Sequence, residues 1–316
     1  MRAVVIADFG ADPEVAELPD PEPGPGEILV RVGAAAMNPF DWKVIDGALR
    51  GVVPHSFPLV LGNDMAGFVQ QAGPGVTRFQ LGDRVFGQVM KVAQGRGAYG
   101  ELVVASADGL LAPTPDGLSD AIAAALPTAS TTAYNAVQAA GAGQGRSILV
   151  NGATGGVGLS AVQFAAGRGA TVLATAAPDA AARVRDLGAH HAIDFTAGST
   201  AEQVRAVCPD GVDAVLDLVS VPGGAGVAGL AALVRAGGSY VSTNGAADAD
   251  ALGARGVSAV NFSNKTTTDL LSTVAGLAAS GDLRIHIDAE IPLARVPEAI
   301  AAARQGHARG KTVIIP

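Results

Sequence analysis

The segment ILVNGATGGVGLSAVQFA, residues 148–165, constrains this chain more than any other. An apolar run enters a turn holding Gly152, Gly155, Gly156 and Gly158, and an apolar-periodic stretch leaves it. That order predicts a strand, a tight turn and a helix whose first amides point out of the turn. Small residues are needed there for three reasons: the turn itself, the approach of an anion to the backbone, and close packing of helix on strand. Ala153, Gly155 and Gly158 stand at the three positions of the dinucleotide fingerprint, with alanine in place of its first glycine. Gly152, Ala153, Thr154, Gly155, Gly156, Val157 and Gly158 are therefore the candidate pyrophosphate-binding residues, set on the positive end of a helix.

The surrounding sequence repeats the same alternation. Strand-like Thr171–Thr175, His191–Asp194, Val212–Leu216 and Gly238–Ser242 are interleaved with helix-like Asp179–Leu187, Ser199–Val207 and Ala225–Val234. This predicts a doubly wound parallel sheet. Before it, residues 1–122 carry short apolar runs between Gly, Pro and Asp clusters, a β-rich texture. After it come an expected helix at Thr266–Ser280, a strand at Leu283–Ile287, a helix at Pro297–Gln305 and a terminal strand at Thr312–Ile315. The expected organisation is an α/β chain with a first domain at 1–122, a nucleotide-binding domain at 123–262, and a tail at 263–316 that completes the first.

Composition narrows the partners. The chain has 29 acidic and 21 basic residues, a net charge of −8, and no basic face, which argues against nucleic acid. Cys208 is the one cysteine, so no intramolecular disulfide and no multi-cysteine zinc or iron–sulfur site is expected. A reducing, cytoplasmic location follows from the same count. The charge-free stretches 121–145 and 147–167 contain Gly, Ser, Thr, Asn or Gln throughout, and the first contains Pro127. They are expected to be buried in the protein, with no membrane partner.

The second strand of the nucleotide domain decides the cofactor. An NAD site places Asp or Glu at its end to hold the ribose 2′-hydroxyl. Here Thr175 and Ala176 stand there, followed by Ala177, and the first acid is Asp179 at the next helix start. Without that acid nothing repels a 2′-phosphate, so NADP(H) is expected. Arg183 is either its counter-charge or an exposed helical arginine.

Nine segments, taken in order, carry a resemblance. They are AAAMNPFDWKVIDG (34–47), PLVLGNDMAGFV (58–69), FQLGDRVFG (79–87), GAYGELVV (97–104), ALPTASTTAYNAV (125–137), NGATGGVG (151–158), DLGAHHAIDF (186–195), VDAVLDLVS (212–220) and GKTVIIP (310–316). The chain resembles the medium-chain dehydrogenases/reductases of the zinc-independent, zeta-crystallin-like quinone oxidoreductase type. The resemblance implies a GroES-like substrate domain split around a Rossmann domain, NADPH in the cleft between them, and a homodimer, with the edge strand near Val257–Val260 as its seam. In the zinc alcohol dehydrogenases, ligands stand at the positions of Asn38 and Asn63, so no metal site is expected.

The same resemblance implies site residues. Asn38 would lie beside nicotinamide and substrate and support a developing oxyanion, with Asp41 orienting water or relaying a proton. Lys43 reads as a surface residue. Thr131, Val219, Ser220, Thr243, Asn244 and Gly245 would contact the nicotinamide half. Phe195, where relatives carry tyrosine, would stack on adenine, and Ala180 replaces a common lysine. The acceptor pocket is expected to involve Trp42, Leu49, His55, Phe57 and Phe262. No tyrosine stands where the family places a proton donor; Tyr99, Tyr134, Tyr240 and Lys311 read as structural. The expected activity is NADPH-dependent hydride transfer to quinones or other α,β-unsaturated carbonyl compounds. The alternatives are an enoyl reductase acting on a polyketide-type intermediate, and an NADPH-binding sensor or structural protein without turnover.

Overall fold

The computed structural model describes residues 1–89, 95–306 and 309–316. The chain forms two compact units, one of residues 1–129 and 266–316, the other of residues 130–265. Unit one begins with β1 (Arg2–Ile6), β2 (Glu14–Glu17), β3 (Glu27–Ala36), α1 (Pro39–Ile45), β4 (Leu59–Val60), β5 (Asp64–Ala72), β6 (Arg84–Gln88), β7 (Leu102–Ser106), β8 (Leu111–Pro113), α2 (Asp120–Ala125) and the start of α3 (Pro127–Ala139). Unit two contains β9 (Ser147–Asn151), α4 (Gly156–Gly167), β10 (Thr171–Thr175), α5 (Ala181–Asp186), β11 (His191–Ile193), α6 (Thr200–Val207), β12 (Val212–Asp217), α7 (Val227–Ala231), β13 (Val234–Ser242), α8 (Ala249–Gly253) and β14 (Ser258–Asn261). The chain then returns to unit one with α9 (Thr268–Ser280), β15 (Ile287–Pro292), α10 (Val296–Ala303) and β16 (Lys311–Ile315).

Unit one is a β-rich domain of the GroES-like type. Its main sheet runs β15-β16-β3-β5-β6-β8, with β7 also on β3, and a second sheet runs β2-β1-β4. The long strand β3 pairs antiparallel with β5, and its register shifts between Leu29 and Val30 and again between Val32 and Ala34. Such irregularities bend a strand. The bent end brings Ala36 opposite Asp64 on β5 and Val313 on β16. Three chain segments far apart in sequence thereby meet at one sheet end, and the polar site described below grows from that corner. Beneath it, Ile28, Val30 and Val32 of β3 pack with Met65, Val85, Val103, Val296, Ile300 and Ile314 in one buried core.

Unit two is a Rossmann-type domain. Its six strands are all parallel, in the order β11-β10-β9-β12-β13-β14. This is the strand order of dinucleotide-binding sheets. Both faces are covered, so β12 is buried at every residue instead of alternating. Ile148, Val150, Val172 and Ala174 face one core, which holds Leu159 and Val162 of α4; Leu149, Leu173 and Val215 face the other with Tyr240 and Leu230.

Several element limits differ from the sequence reading. Leu283 lies in no strand: Gly281 closes α9 in the left-handed conformation, with φ 83°, and the Leu283 amide returns to the carbonyl of Leu277. The strand begins only at Ile287. The helix expected at 225–234 shortens to α7, because Val234 already pairs with Val212 and opens β13. Helix α5 starts at Ala181, after a turn at 178–180. Among the described residues no helix is long and apolar enough to cross a membrane.

Candidate functional site

The glycine-rich turn of unit two lies between β9 and α4, as the sequence predicts. Gly155 is the N-cap of α4, in extended conformation at φ −77° and ψ 170°. A Cβ added there would meet one atom within 4 Å, the Gly152 carbonyl oxygen at 3.8 Å, so the space above this amide is open. At Gly158 a Cβ would lie 2.2 Å from that same oxygen and 2.6 Å from the Ala153 Cα. Gly158 thus packs α4 against the turn that follows β9, and at Gly155 the backbone is left open at the start of the helix. The residues present fit a dinucleotide pyrophosphate.

Thr175 and Ala176 are both buried. The Thr175 hydroxyl accepts the Gly152 N–H at 2.9 Å, so this side chain pins the turn from below instead of reaching outward. The end of β10 presents no carboxylate. Arg183 is half-buried on α5, and Phe195 is 55% exposed after β11.

The loops after β12 and β13 are organised by Asp217, which the sequence reading did not single out. Its carboxylate is fully buried and accepts four donors: Asn151 Nδ2 at 2.9 Å, the Val219 and Ser220 amides at 3.1 and 3.0 Å, and the Tyr240 hydroxyl at 2.5 Å. Burial pushes its pKa up, but these hydrogen bonds outweigh burial and hold it below the usual range. Asn244 Nδ2 donates to the Leu218 carbonyl, and the Thr243 amide to the Asp217 carbonyl. Asn151, Val219, Ser220, Thr243 and Asn244 therefore form one bonded rim at the carboxyl edge of the sheet, adjoining Gly245, while Val219 remains 59% exposed. Thr131 differs: it is fully buried, and its hydroxyl accepts from Asn264 Nδ2 at 2.8 Å.

In unit one, Asn38 caps α1 and Pro39 takes the first helical position, where its missing N–H costs nothing. The Asn38 side chain is turned inward. Its Nδ2 donates to the Ala36 carbonyl at 3.2 Å and to Asp64 Oδ2 at 3.0 Å, and its Oδ1 accepts from Lys311 Nζ at 2.7 Å. Both amide hydrogens are spent, and the residue is 3% exposed. The expected oxyanion donor is thus a structural link between a carboxylate and a lysine. Asp41 is likewise committed. It accepts the Asn38 amide at 2.7 Å and the Tyr99 hydroxyl at 2.5 Å, so it fixes the Asn38 backbone and touches no open space.

Asp64 is the centre of this cluster. Besides Asn38 it accepts the Thr128 amide at 2.9 Å and the Thr128 hydroxyl at 2.7 Å. Gln88 Nε2 donates to Thr128 Oγ1 at 2.7 Å. Burial raises the carboxyls of both Asp41 and Asp64, Asp41 to about 7, while the Lys311 charge opposes the rise. Burial pushes the Lys311 ammonium down, and the two carboxylates push back. The sequence carried one signal for this cluster: Asp64 and Lys311 each open an apolar strand, and a charge that such a strand buries needs a partner. Tyr99 is fully buried, and its bond to a buried acid gives it weight. A Tyr99→Phe chain is expected to lose about 1.5–3 kcal/mol of unit-one stability, the usual cost of a hydrogen bond to a charged group, read by urea unfolding at pH 8.

The apolar residues expected at the acceptor pocket divide between the units. Trp42, Leu49 and Phe57 pack on the unit-one core. Phe9, His55 and Phe57 meet edge to face at centroid distances of 4.6–5.6 Å. Phe262 packs in unit two, on the core that also carries Val157 and Leu218. Among the described residues no group of three or more His, Cys, Asp or Glu is placed to hold a metal ion.

Comparison with known proteins gives concordant matches. The alcohol dehydrogenase GroES-like domain family matches residues 24–116, and the zinc-binding dehydrogenase family residues 187–314. The chloroplastic quinone-oxidoreductase homolog of Spinacia oleracea is 33% identical over 336 residues, covering 100% of this chain and 98% of that protein. The quinone oxidoreductase structure from Coxiella burnetii superposes with a TM-score of 0.88 at 28% identity, covering 100% of this chain and 99% of that one. A mycocerosic acid synthase-like polyketide synthase of Mycobacterium tuberculosis is 40% identical over 225 residues, covering 69% of this chain and 10% of that protein. Homologues of this kind support a general oxidoreductase role and imply a nicotinamide cofactor. With a GroES-like unit interrupted by a parallel-sheet unit of dinucleotide-binding order, and a full-length relative at 33% identity, the chain belongs to the medium-chain dehydrogenase/reductase family, with quinone oxidoreductases among its homologues.

Proposed function

We propose that this chain is an NADPH-dependent, zinc-free reductase that transfers hydride to quinones or other α,β-unsaturated carbonyl compounds. The observation that carries the cofactor assignment is the pairing of an open Gly155 amide with a β10 end free of carboxylate. The pyrophosphate would rest on the Gly155 and Gly156 amides, and Arg183 is the nearest candidate in sequence to meet a 2′-phosphate. Phe195 and Val219 offer exposed apolar surface to adenine and nicotinamide. When bound, the cofactor supplies a hydride from nicotinamide C4. The protein's own part is to hold it on a fixed rim, which the bonds to Asp217 keep rigid. The zinc-free reading rests on Asn38 and Asn63 at the ligand positions and on a single cysteine. A homodimer seamed at β14, whose outer edge is unpaired in the sheet, and a reducing cytoplasmic setting complete the proposal.

The polyketide synthase match favours a second reading, reduction of an enoyl thioester. Anaerobic NADPH oxidation with a naphthoquinone, an ortho-quinone, a linear enone and an enoyl thioester separates the two, with NADH run beside each. Turnover of the quinones is expected, at least about tenfold better with NADPH than with NADH, the worth of one ~1.4 kcal/mol interaction with the 2′-phosphate. Turnover of the thioester alone would move the protein to double-bond reduction. NADPH binding with no acceptor consumed would leave a sensor or structural role.

A further inference from the structure

The strand order of unit two reverses between β9 and β12: β10 and β11 lie on one side of that pair, β13 and β14 on the other. In open parallel sheets a dinucleotide lies across the crevice at such a reversal, outside the carboxyl ends of the strands. Asn151 closes β9, Asp217 closes β12, and the register sets the two side by side. Asn151 Nδ2 donates to Asp217 Oδ1 at 2.9 Å, so one side-chain bond spans the point of reversal. On its other side Asn151 Oδ1 faces the Thr175 hydroxyl at 3.4 Å, and that hydroxyl accepts the Gly152 N–H at 2.9 Å. The backbone adds two contacts. The Leu218 N–H donates to the Asn151 carbonyl at 3.1 Å. Gly152, at φ 84°, lies so close to the loop after β12 that a Cβ there would stand 2.6 Å from Val219 Cγ2.

Two loops therefore share one support. The turn at 152–158 leaves β9, and the segment 218–220 leaves β12. Asn151 reaches the first through Thr175, and the second through Asp217, which accepts the Val219 and Ser220 amides. The position needs an amide, because it must donate to a carboxylate and accept from a hydroxyl at once. An aspartate there would set two carboxylates side by side, and a leucine would offer neither group. Resting on the cofactor reading above, we propose that Asn151 is a positioning residue that couples the two halves of the dinucleotide site: it fixes the loop after β12, which meets the nicotinamide end, against the glycine turn, which meets the phosphates. A ligand that reaches both loops then finds them already set against each other, and no binding energy goes into ordering one on the other. A ligand confined to the turn gains nothing from the coupling.

The test titrates the full chain by calorimetry with NADPH and, separately, with 2′-phospho-ADP-ribose, which is the same molecule without its nicotinamide. Asn151→Leu keeps the size of the side chain and removes both polar groups. The Kd for NADPH is expected to rise about tenfold, the scale of one hydrogen bond to a charged group, and the Kd for 2′-phospho-ADP-ribose to stay within about twofold of the wild type. A packing defect in the turn would weaken both ligands alike. If Asn151→Leu does not fold, Asn151→Ala removes the same amide without the branched bulk and is read in the same way. Wild-type affinity for NADPH in a folded variant, or equal weakening of the two ligands, would overturn the coupling. A wild-type chain that binds neither ligand would instead overturn the cofactor reading itself.

Discussion

A Gly155→Val chain is expected to fold like the wild type and to lose its nicotinamide cofactor. At φ −77° and ψ 170° the backbone already suits a branched side chain, and the added Cβ approaches only one atom, at 3.8 Å. The two methyl groups would instead fill the space above the first helical amides, the proposed seat of the pyrophosphate. We expect binding to weaken by at least about a hundredfold, or ~2.7 kcal/mol, with little change in melting temperature. Gly158→Val makes the opposite case. Its Cβ would stand 2.2 Å from a backbone oxygen and 2.6 Å from a backbone Cα, neither of which can swing aside like a side chain. The turn must then separate from α4, at a cost of about 3 kcal/mol or more to unit two. Cofactor fluorescence titration and thermal unfolding of both variants check this. Wild-type binding by a folded Gly155→Val chain would move the anion site elsewhere, and a Gly158→Val chain melting like the wild type would show that the contact yields.

The second large effect is expected at Lys311. Its ammonium donates to the Met37 carbonyl at 2.6 Å and to Asn38 Oδ1 at 2.7 Å, and it is the cation that opposes the burial of Asp41 and Asp64. Replacing it with methionine fills similar space but leaves two buried carboxyls without a counter-charge. At pH 8 this is expected to cost about 3–5 kcal/mol of unit-one stability. The pH dependence has a definite sign. Burial raises Asp41 from 3.8 to about 7, so the folded chain holds a proton that the unfolded chain releases at lower pH. The stability this group contributes is complete below 3.8 and is lost as the pH rises through about 7. Asp64 is raised as well and acts in the same direction. Lys311→Met should therefore be markedly less harmful at pH 5, where Asp41 is neutral, than at pH 8. Urea unfolding at the two pH values decides it; an equal loss at both would show that the charge of Lys311 is not what stabilises the cluster.

Unit two was legible because its signals are local. Each parallel strand is a short apolar run, each crossover helix follows within a few residues, and the turn at 152–158 needs small residues for reasons that any Rossmann-type sheet imposes. Asp217 escaped notice because an acid closing an apolar strand resembles an ordinary strand end. Its four donors come from Asn151, Tyr240 and two amides that only the strand order β9-β12-β13 brings together. The contact of Thr175 was hidden for a similar reason. It stands at the end of β10, and only the pairing of β10 with β9 turns its hydroxyl to the Gly152 amide.

The sequence by itself determined the interrupted order of the chain, the parallel sheet, the glycine turn and the missing acid at the end of β10. All of these rest on contacts between residues close in sequence, or on a residue type at one place. The unit-one site was decided by tertiary structure. Asn38 was singled out as a donor to a developing oxyanion, but the bend in β3 carries it against Asp64 and Lys311, residues 26 and 273 positions away. A carboxylate and an ammonium buried together must take up the nearest donors and acceptors, because at low dielectric an unpaired charge costs more than any bond the amide could offer outward. That competition turns Asn38 inward and leaves Thr128, where the cluster ends, as its one half-buried member.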